Sequence, residues 1–390
     1  MMFFVQHLLG IGHLKRAVTL ARAMTAAGLD VVLVSGGETV PVIDLTGVAF
    51  EQLPPARAVD TFFKVLVDED GRRIDDAWKA RRRDHLLGLF RRLRPRVVIL
   101  ELFPFGRRQL RFELLPLLDA ARASRPRPRI VSSVRDILVE KERPERNDEM
   151  VALAETWFDA ILVHGDPELI PFAATFPHVR RIADKVRYTG YVVEPRLAAQ
   201  ALRRPRPDDG REAGEVLVSV GGGAVGEKLI TVAFEARPLT PLAASPWRVL
   251  VGHNLAEDRF RVLGARAGPG IAVERARPDF VELLSRCRIS VSQGGYNTVM
   301  EVLATGSRAV VVPYAGGEET EDDNYVAYIS HNLPRDAYSR KIIYIISHRD
   351  DCKIHSIVKS DHRYTSEPCK KRSNPGHNAI ETLFRCGWWP

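Results

Sequence analysis

A short β-branched run, two glycines and an amphipathic helix follow one another between Arg288 and Gly306. Ile289, Val291 and their neighbours read as a buried parallel strand. Gly294 and Gly295 make the turn, Val299, Val302 and Leu303 share one helical face, and Gly306 is the helix stop. Such a unit is an anion site, because first-turn N–H groups and the positive end of the helix dipole gather above the turn. Glu301 lies about one turn into the helix, on the side of Asn297 and Thr298 by i+3/i+4 spacing. A carboxylate there can accept hydrogen bonds from two neighbouring hydroxyls, such as those of a ribose. The expected occupant is a nucleotide, with phosphate on the turn and sugar on Glu301.

The same logic recurs along the chain. Phe3–Gln6 reads as a strand, His7 to His13 as a turn containing Gly10 and Gly12, and Leu14 to Ala27 as a helix stopped by Gly28. Val31–Val34 follows as the next strand, so the opening is a βαβ unit of a parallel doubly wound sheet. No acidic residue ends that second strand ahead of its glycines, which disfavours a nicotinamide fold. Later strands are expected at Val97–Leu100, Ile130–Val134 and Ile161–Val163. They deliver Glu101, Arg135-Asp136 and His164-Gly165-Asp166 to the carboxyl ends, where ligands of such sheets bind. Asp136 and Asp166 read equally well as helix caps.

Pro195 to Gly214 is polar, proline-rich and unpatterned, and is expected to be a linker. The pattern then restarts with a strand at Glu215–Val220, a glycine-rich turn at 221–226 and a helix from Glu227. Strands at Arg248–Val251 and Ala309–Val312 complete a second α/β unit. The expected organisation is a first Rossmann-like domain over 1–195, a linker over 196–214, a second over 215–321 and an atypical tail over 322–390. The two α/β domains are expected to face each other across a cleft. In the tail, alanine and arginine thin out and three of the four cysteines appear, as a shifted reading frame or a fusion would produce.

A net charge of +8 over 390 residues suits anionic partners. No RNA-recognition signature is present, so nucleic acid is not an expected partner. No stretch of roughly 18 apolar residues exists to span a membrane, and the first residues lack a basic n-region; a cytoplasmic location is the default expectation. Trp78 to Arg94 is a basic amphipathic helix. It reads first as a cover for the sheet and second as a peripheral contact with the inner face of a membrane. Asp68-Glu69-Asp70 reads as a solvated turn. Cys352, His355 and Cys369 fit no zinc spacing, and no metal is expected.

Three segments carry a family resemblance. Gly10-Ile11-Gly12-His13, the glycine run from Gly221 to Gly226, and Ser292 to Glu301 continued through Gly306 and Pro313 resemble, in order and spacing, the GT-B glycosyltransferases of the MurG-like, family 28 type. The last segment is the specific one. The resemblance implies that Glu301 holds the ribose, and that Gly294, Gly295, Asn297 and Thr298 lie along the diphosphate. It implies that Ala276-Arg277 meets the base, that Gly12, Gly222 and Gly223 sit near the phosphates, and that His13 stands by the reacting sugar carbon. The implied reaction is inverting, metal-independent transfer of a hexosyl group from a nucleotide-diphosphate sugar, usually UDP-linked, to an acceptor hydroxyl. His13 is the first candidate for the base, since an imidazole titrates near neutral pH; Asp136, Asp166 and Glu101 are the reserves. A histidine that only caps the first helix or touches the diphosphate is the plainer reading. The chain departs from the family where Glu318-Glu319 stands in place of donor-contacting glutamines. The alternatives are a nucleotide-sugar epimerase on the same fold, which would change the sugar without an acceptor, and a non-catalytic nucleotide-sugar binder. The acceptor is not legible.

Overall fold

The computed structural model describes residues 1–8, 10–59, 65–138, 143–168, 170–194, 214–221 and 226–312, and the backbone of 343–346 and 354–357. The chain divides into two compact units, Met1–Val192 and Val193–Pro390. The expected linker and most of the tail, with Gly222, Gly223 and Glu318-Glu319, lie outside the described residues.

The first unit is built on seven strands: β1 (Met2–Val5), β2 (Val32–Ser35), β3 (Ala49–Gln52), β6 (Val97–Glu101), β7 (Arg129–Arg135), β8 (Ala160–His164) and β9 (Val186–Tyr188). They lie in the order β3-β2-β1-β6-β7-β8-β9, and every pairing is parallel. A small antiparallel pair, β4 (Arg57–Ala58) and β5 (Leu66–Val67), stands apart from that sheet. The central strands carry near-continuous apolar runs because helices cover both faces. Phe3, Val5, Leu33 and Ile99 pack with the helix Gly12–Ala26 on one side. Phe4, Leu100, Leu86 and Leu117 pack on the other, where the helices Asp76–Leu93 and Arg111–Ala123 lie.

Asp76–Leu93 is the basic helix of the sequence. Asp75 caps it by accepting from the Trp78 N–H at 2.7 Å, and Arg94 ends it in the left-handed region at φ 41°. Its stripe of Trp78, Leu86, Leu89 and Phe90 is buried, and so is Arg82. That apolar face is spent on the sheet, which is the covering role. No helix among the described residues is long and apolar enough to cross a membrane.

The second unit repeats the plan. Its strands are β10 (Val216–Ser219), β11 (Trp247–Val251), β12 (Ile271–Arg275), β13 (Ile289–Gln293), β14 (Ala309–Val312), β15 (Ile343–Ile346) and β16 (Ile354–Ile357). Their order is β12-β11-β10-β13-β14-β15-β16, parallel except for the final β15–β16 pair. Val218, Val249, Val291 and Val310 form its core with Leu229, Ile230 and Ala233 of the helix Glu227–Ala236. Two of these strands, β15 and β16, come from the atypical tail.

In both sheets the chain reverses its direction of travel next to the first strand, between β1 and β6 and between β10 and β13. Such a reversal opens a crevice at the carboxyl ends of the two strands, the place where doubly wound sheets bind ligands. The sequence reading placed the central strands to within about a residue. It did not single out β3 or β12, half-exposed edge strands whose apolar runs are broken by Glu51 and Glu274.

Candidate active site

In the first unit, the reversal between β1 and β6 brings six polar side chains into one network. His13 is in the first turn of the helix Gly12–Ala26, and Arg16 is one turn on, so both point from the same helical face. Glu101 ends β6. His13 Nδ1 lies 3.2 Å from Glu101 Oε1, and Arg16 Nη2 donates to that same oxygen. Ser133 of β7 donates its hydroxyl to Glu101 Oε2 and stands 2.9 Å from His164 Nε2. His164 Nδ1 is 2.8 Å from the Thr189 hydroxyl. Glu101, Ser133 and His164 are sealed from solvent, whereas 22% of the His13 side chain remains exposed. The network therefore begins in the core and ends on an accessible imidazole.

Charge at this edge is tightly set. Burial, joined by the Arg107 and Arg16 cations, pushes His13 down to about 3 against the pull of Glu101. Burial and Arg107 take His7 to about 4, and burial and Arg16 take His164 to about 4. Burial works against the Glu101 carboxylate, but Arg16 and the His13 contact outweigh it and hold the group well below its ordinary range. At neutral pH the imidazoles are neutral and Glu101 is charged. Arg107 reaches this edge from the loop after β6, donating from Nε to the Gln6 carbonyl at 2.9 Å. Its φ of 60° and that of Leu102 at 66° are strained for residues with a Cβ, as occurs where a loop is held for function.

The other first-unit candidates are placed differently. Asp136, just past β7, is fully buried, and neither carboxylate oxygen makes a hydrogen bond of good geometry among the described residues. Burial raises it to about 6, against the nearby Tyr191 hydroxyl and Arg135. It packs directly on Gly165, where a Cβ would stand 2.3 Å from the Asp136 Cβ. Asp166 is exposed; its carboxylate accepts from the Glu168 N–H at 2.9 Å in the manner of a turn cap.

Three histidines whose folded values lie below the unfolded value give a pH dependence of stability. Between pH 6.5 and about 4 the unfolded chain takes up protons at His7, His13 and His164 that the folded chain refuses, so stability falls as pH falls. Asp136 and Glu113, both raised by burial, oppose this, but with two groups against three. The melting temperature of the first unit is expected to drop between pH 6.5 and 4.5 in a calorimetric series; a flat or rising series would contradict it.

In the second unit the helix Tyr296–Thr305 starts at Gly295, whose lack of a side chain leaves the first turn without a side-chain cap. The Gly295 carbonyl accepts from Val299 at 3.1 Å, and its own N–H donates to the Gln293 carbonyl at 2.9 Å. Gly294 is buried and Gly295 half-buried. The Gly295 amide is thereby engaged inside the turn, and the first turn of the helix runs on from residue 296. Asn297 and Thr298 are half-buried on the first turn. Glu301 is 5% exposed one turn further in, and Gly306 closes the helix at φ 70°. All of this stands at the carboxyl end of β13, beside the reversal between β10 and β13.

Arg277, expected near a base, is gripped by Asp279 through two contacts of 2.8 Å and by Glu274 at 3.0 Å. The Ala276 N–H donates to the Val251 carbonyl at 2.7 Å, and its carbonyl lies 2.9 Å from His253 Nε2. These groups brace the end of β12 against β11. Gly12 heads the first-unit helix. Sequence reasoning did not identify Arg16, Ser133 or Thr189 as part of a site. Arg16 was legible as the i+3 partner of His13; Ser133 and Thr189 carry no signal until the strands are set side by side.

Residues 217–341 match the family model of the glycosyltransferase family 28 C-terminal domain, a match that runs twenty residues beyond Glu321. None of the curated proteins matches the chain in sequence. A double variant of Os79 from O. sativa, in complex with UDP, is similar in structure with a TM-score of 0.56 at 14% identity, over 88% of this chain and 86% of that one. Phytolacca americana UGT2, complexed with UDP-2fluoro-glucose and pterostilbene, gives 0.52 at 13% identity over 89% and 86%. CalG4, the calicheamicin glycosyltransferase, gives 0.52 at 17% identity over 90% and 86%. Two Rossmann-like halves of this order give the chain the GT-B fold. Within that fold, residues 217–341 are similar to the family 28 C-terminal domain.

Proposed function

We propose that the protein moves a hexosyl group from a nucleotide-diphosphate sugar, UDP-linked, to an acceptor hydroxyl with inversion at the anomeric carbon and without an essential metal. The carrying observation is the strand–glycine–helix unit at residues 289–306. It lies inside the family-matched region and beside the strand reversal of its sheet. On this reading the first-turn amides of Tyr296–Thr305 receive the diphosphate, helped by Asn297 and Thr298, and Glu301 accepts from the ribose hydroxyls. The helix dipole stabilises the negative charge that builds on the departing diphosphate, a task often given to a cation. Two of the similar structures hold UDP or a UDP-sugar, which supports the choice of donor.

His13 is the base of this reading. With Nδ1 turned to Glu101, its Nε2 lone pair takes the acceptor proton as the hydroxyl oxygen bonds to the sugar carbon and the bond to the diphosphate breaks. A resting value near 3 makes His13 a weak base, so the proton moves late, once the acceptor oxygen has become acidic by bonding. Glu101 then stabilises the imidazolium as it forms. Since His13 is already neutral at pH 5, the acid limb of kcat/KM is expected below pH 5 rather than near 6.5.

The test begins with a thermal-shift panel of nucleotide-diphosphate sugars, because a ligand that binds only the folded state raises its melting temperature. UDP-sugars are expected to raise it, and Glu301→Ala to abolish the rise. Turnover on a panel of hydroxyl acceptors is expected to survive a chelator. No shift with any donor, or a sugar epimerised in the absence of acceptor, would refute the reading.

A further inference from the structure

We propose that His164 is a positioning residue for the transfer: through Ser133 it orients Glu101, and through Glu101 it fixes His13 with the proton on Nδ1 and a bare Nε2. The inference rests on the reading of His13 as the base.

The relay crosses the sheet from strand to strand. Glu101 and Ser133 are register partners on β6 and β7. His164 ends β8 as the partner of Arg135, two residues beyond Ser133 on the same face. Thr189 follows β9, whose Tyr188 pairs with Val163. Four adjacent parallel strands thus each contribute one polar group to a single row at their carboxyl ends. Buried, such a row is costly unless every member is satisfied.

The direction of each hydrogen bond follows from the charge at one end. An ionised carboxylate only accepts, so Ser133 donates its proton to Glu101 Oε2. The Ser133 oxygen is then left to accept, and its neighbour at 2.9 Å, His164 Nε2, must be the N–H. A neutral imidazole protonated at Nε2 is bare at Nδ1, so Thr189 donates to that nitrogen at 2.8 Å. This is shorter than the alternatives open to the threonine hydroxyl, the Gly190 carbonyl at 3.2 Å and the Val163 carbonyl at 3.4 Å. On the other side, Glu101 Oε1 accepts from Arg16 and from His13 Nδ1. Arg16 Nη2 also lies 3.3 Å from His13 Nδ1. It can donate there only if that nitrogen is bare, which would set a lone pair against the Glu101 carboxylate. The row therefore has one consistent set of protons, from Thr189 to His13.

His164 does not touch the reacting atoms in this account. It removes the freedom of Ser133 to turn its hydroxyl elsewhere, and so keeps both oxygens of Glu101 assigned. Leucine at 164 leaves the serine without a donor, while glutamine can present an amide N–H in place of Nε2–H.

The experiment reads tautomers directly, from two-bond 15N–1H correlation spectra of the full chain labelled in histidine, without ligand. Peaks are assigned by their loss in His13→Gln and His164→Leu. The wild type is expected to show His13 protonated at Nδ1 and His164 protonated at Nε2. Ser133→Ala and His164→Leu are expected to convert His13 to a mixture and to lower kcat about tenfold or more with both KM values unchanged; His164→Gln restores the Nδ1–H form and most of kcat. A wild-type spectrum with His13 bare at Nδ1, or an unchanged His13 tautomer in the folded Ser133→Ala and His164→Leu variants, overturns the proposal. Should either variant fail to fold, the wild-type spectrum still decides. Absence of sugar transfer with every donor would overturn the proposed function instead, and would leave these spectra as they are.

Discussion

Replacing His13 by alanine is expected to lower kcat by about 10²–10⁴, the usual worth of a general base, while donor affinity stays as it was. The two effects separate because they belong to different units. The groups assigned to the donor, Asn297, Thr298 and Glu301, lie in Val193–Pro390, and His13 lies in Met1–Val192. The thermal shift given by UDP should therefore be the same in His13→Ala as in the wild type, and only turnover should fall. Glu101→Gln should produce a smaller loss. It keeps the size of the side chain but replaces a charge with a dipole, so the imidazolium is less stabilised and Arg16 loses a full partner. Full turnover by His13→Ala would remove the imidazole from the chemistry and return it to the plainer role of a residue near the helix start. Asp136 would then be the next candidate: its carboxyl, raised to about 6, would have to swing out of the core to act.

The second-unit site was far more legible in the sequence than the first. Residues 289–306 are contiguous, and local rules dictate each step: a β-branched strand, a glycine N-cap, an amphipathic turn, and a glycine stop in the left-handed region. The structure alters one detail, the Gly295 amide, which is spent on Gln293. The first-unit network joins residues 13, 16, 101, 133, 164 and 189, which no spacing rule connects. His13 stood out because it follows a glycine turn, and Glu101 because it ends a strand. Serines and threonines inside apolar strands look like ordinary fillers until the strand order is known, since which strands are neighbours is a property of the whole sheet. The basic helix shows the same limit from the other side. Three consecutive arginines are what make this helix basic in the sequence, yet Arg82 turns inward. Arg82 is four residues from both Trp78 and Leu86, on the buried stripe of the helix, and the core here supplies a partner.

That partner makes the largest stability effect expected in the molecule. Arg82 and Glu113 are both fully buried. Arg82 donates to Glu113 at 2.8 and 2.9 Å, to the carbonyls of Gly36 and Pro54 at 2.9 and 3.0 Å, and to Gln6 Oε1 at 2.6 Å. Gln6 in turn donates to the carbonyls of His7 and Ala56, so the cation ties the covering helix to the carboxyl ends of β1 and β2. Gly36 is required for this: a Cβ there would stand 2.2 Å from Arg82 Nη2. Replacing Arg82 by methionine fills much of the same volume but strands a buried carboxylate, a loss of about 3–5 kcal/mol for the first unit. Glu113 already titrates high because burial outweighs the nearby cation, and without Arg82 it would take up a proton and recover part of that cost. The double variant Arg82→Met with Glu113→Leu is expected to recover more, since no charge is then buried, but not all, because two carbonyls and Gln6 Oε1 keep no donor. Urea unfolding of the full chain, followed by tryptophan fluorescence with Trp78 and Trp157 in the first unit and Trp247 in the second, shows the first-unit transition as the one that the substitution moves. A midpoint for Arg82→Met equal to that of the wild type would mean that the cluster contributes nothing net. A double variant less stable than Arg82→Met would mean that Glu113 contributes without its cation.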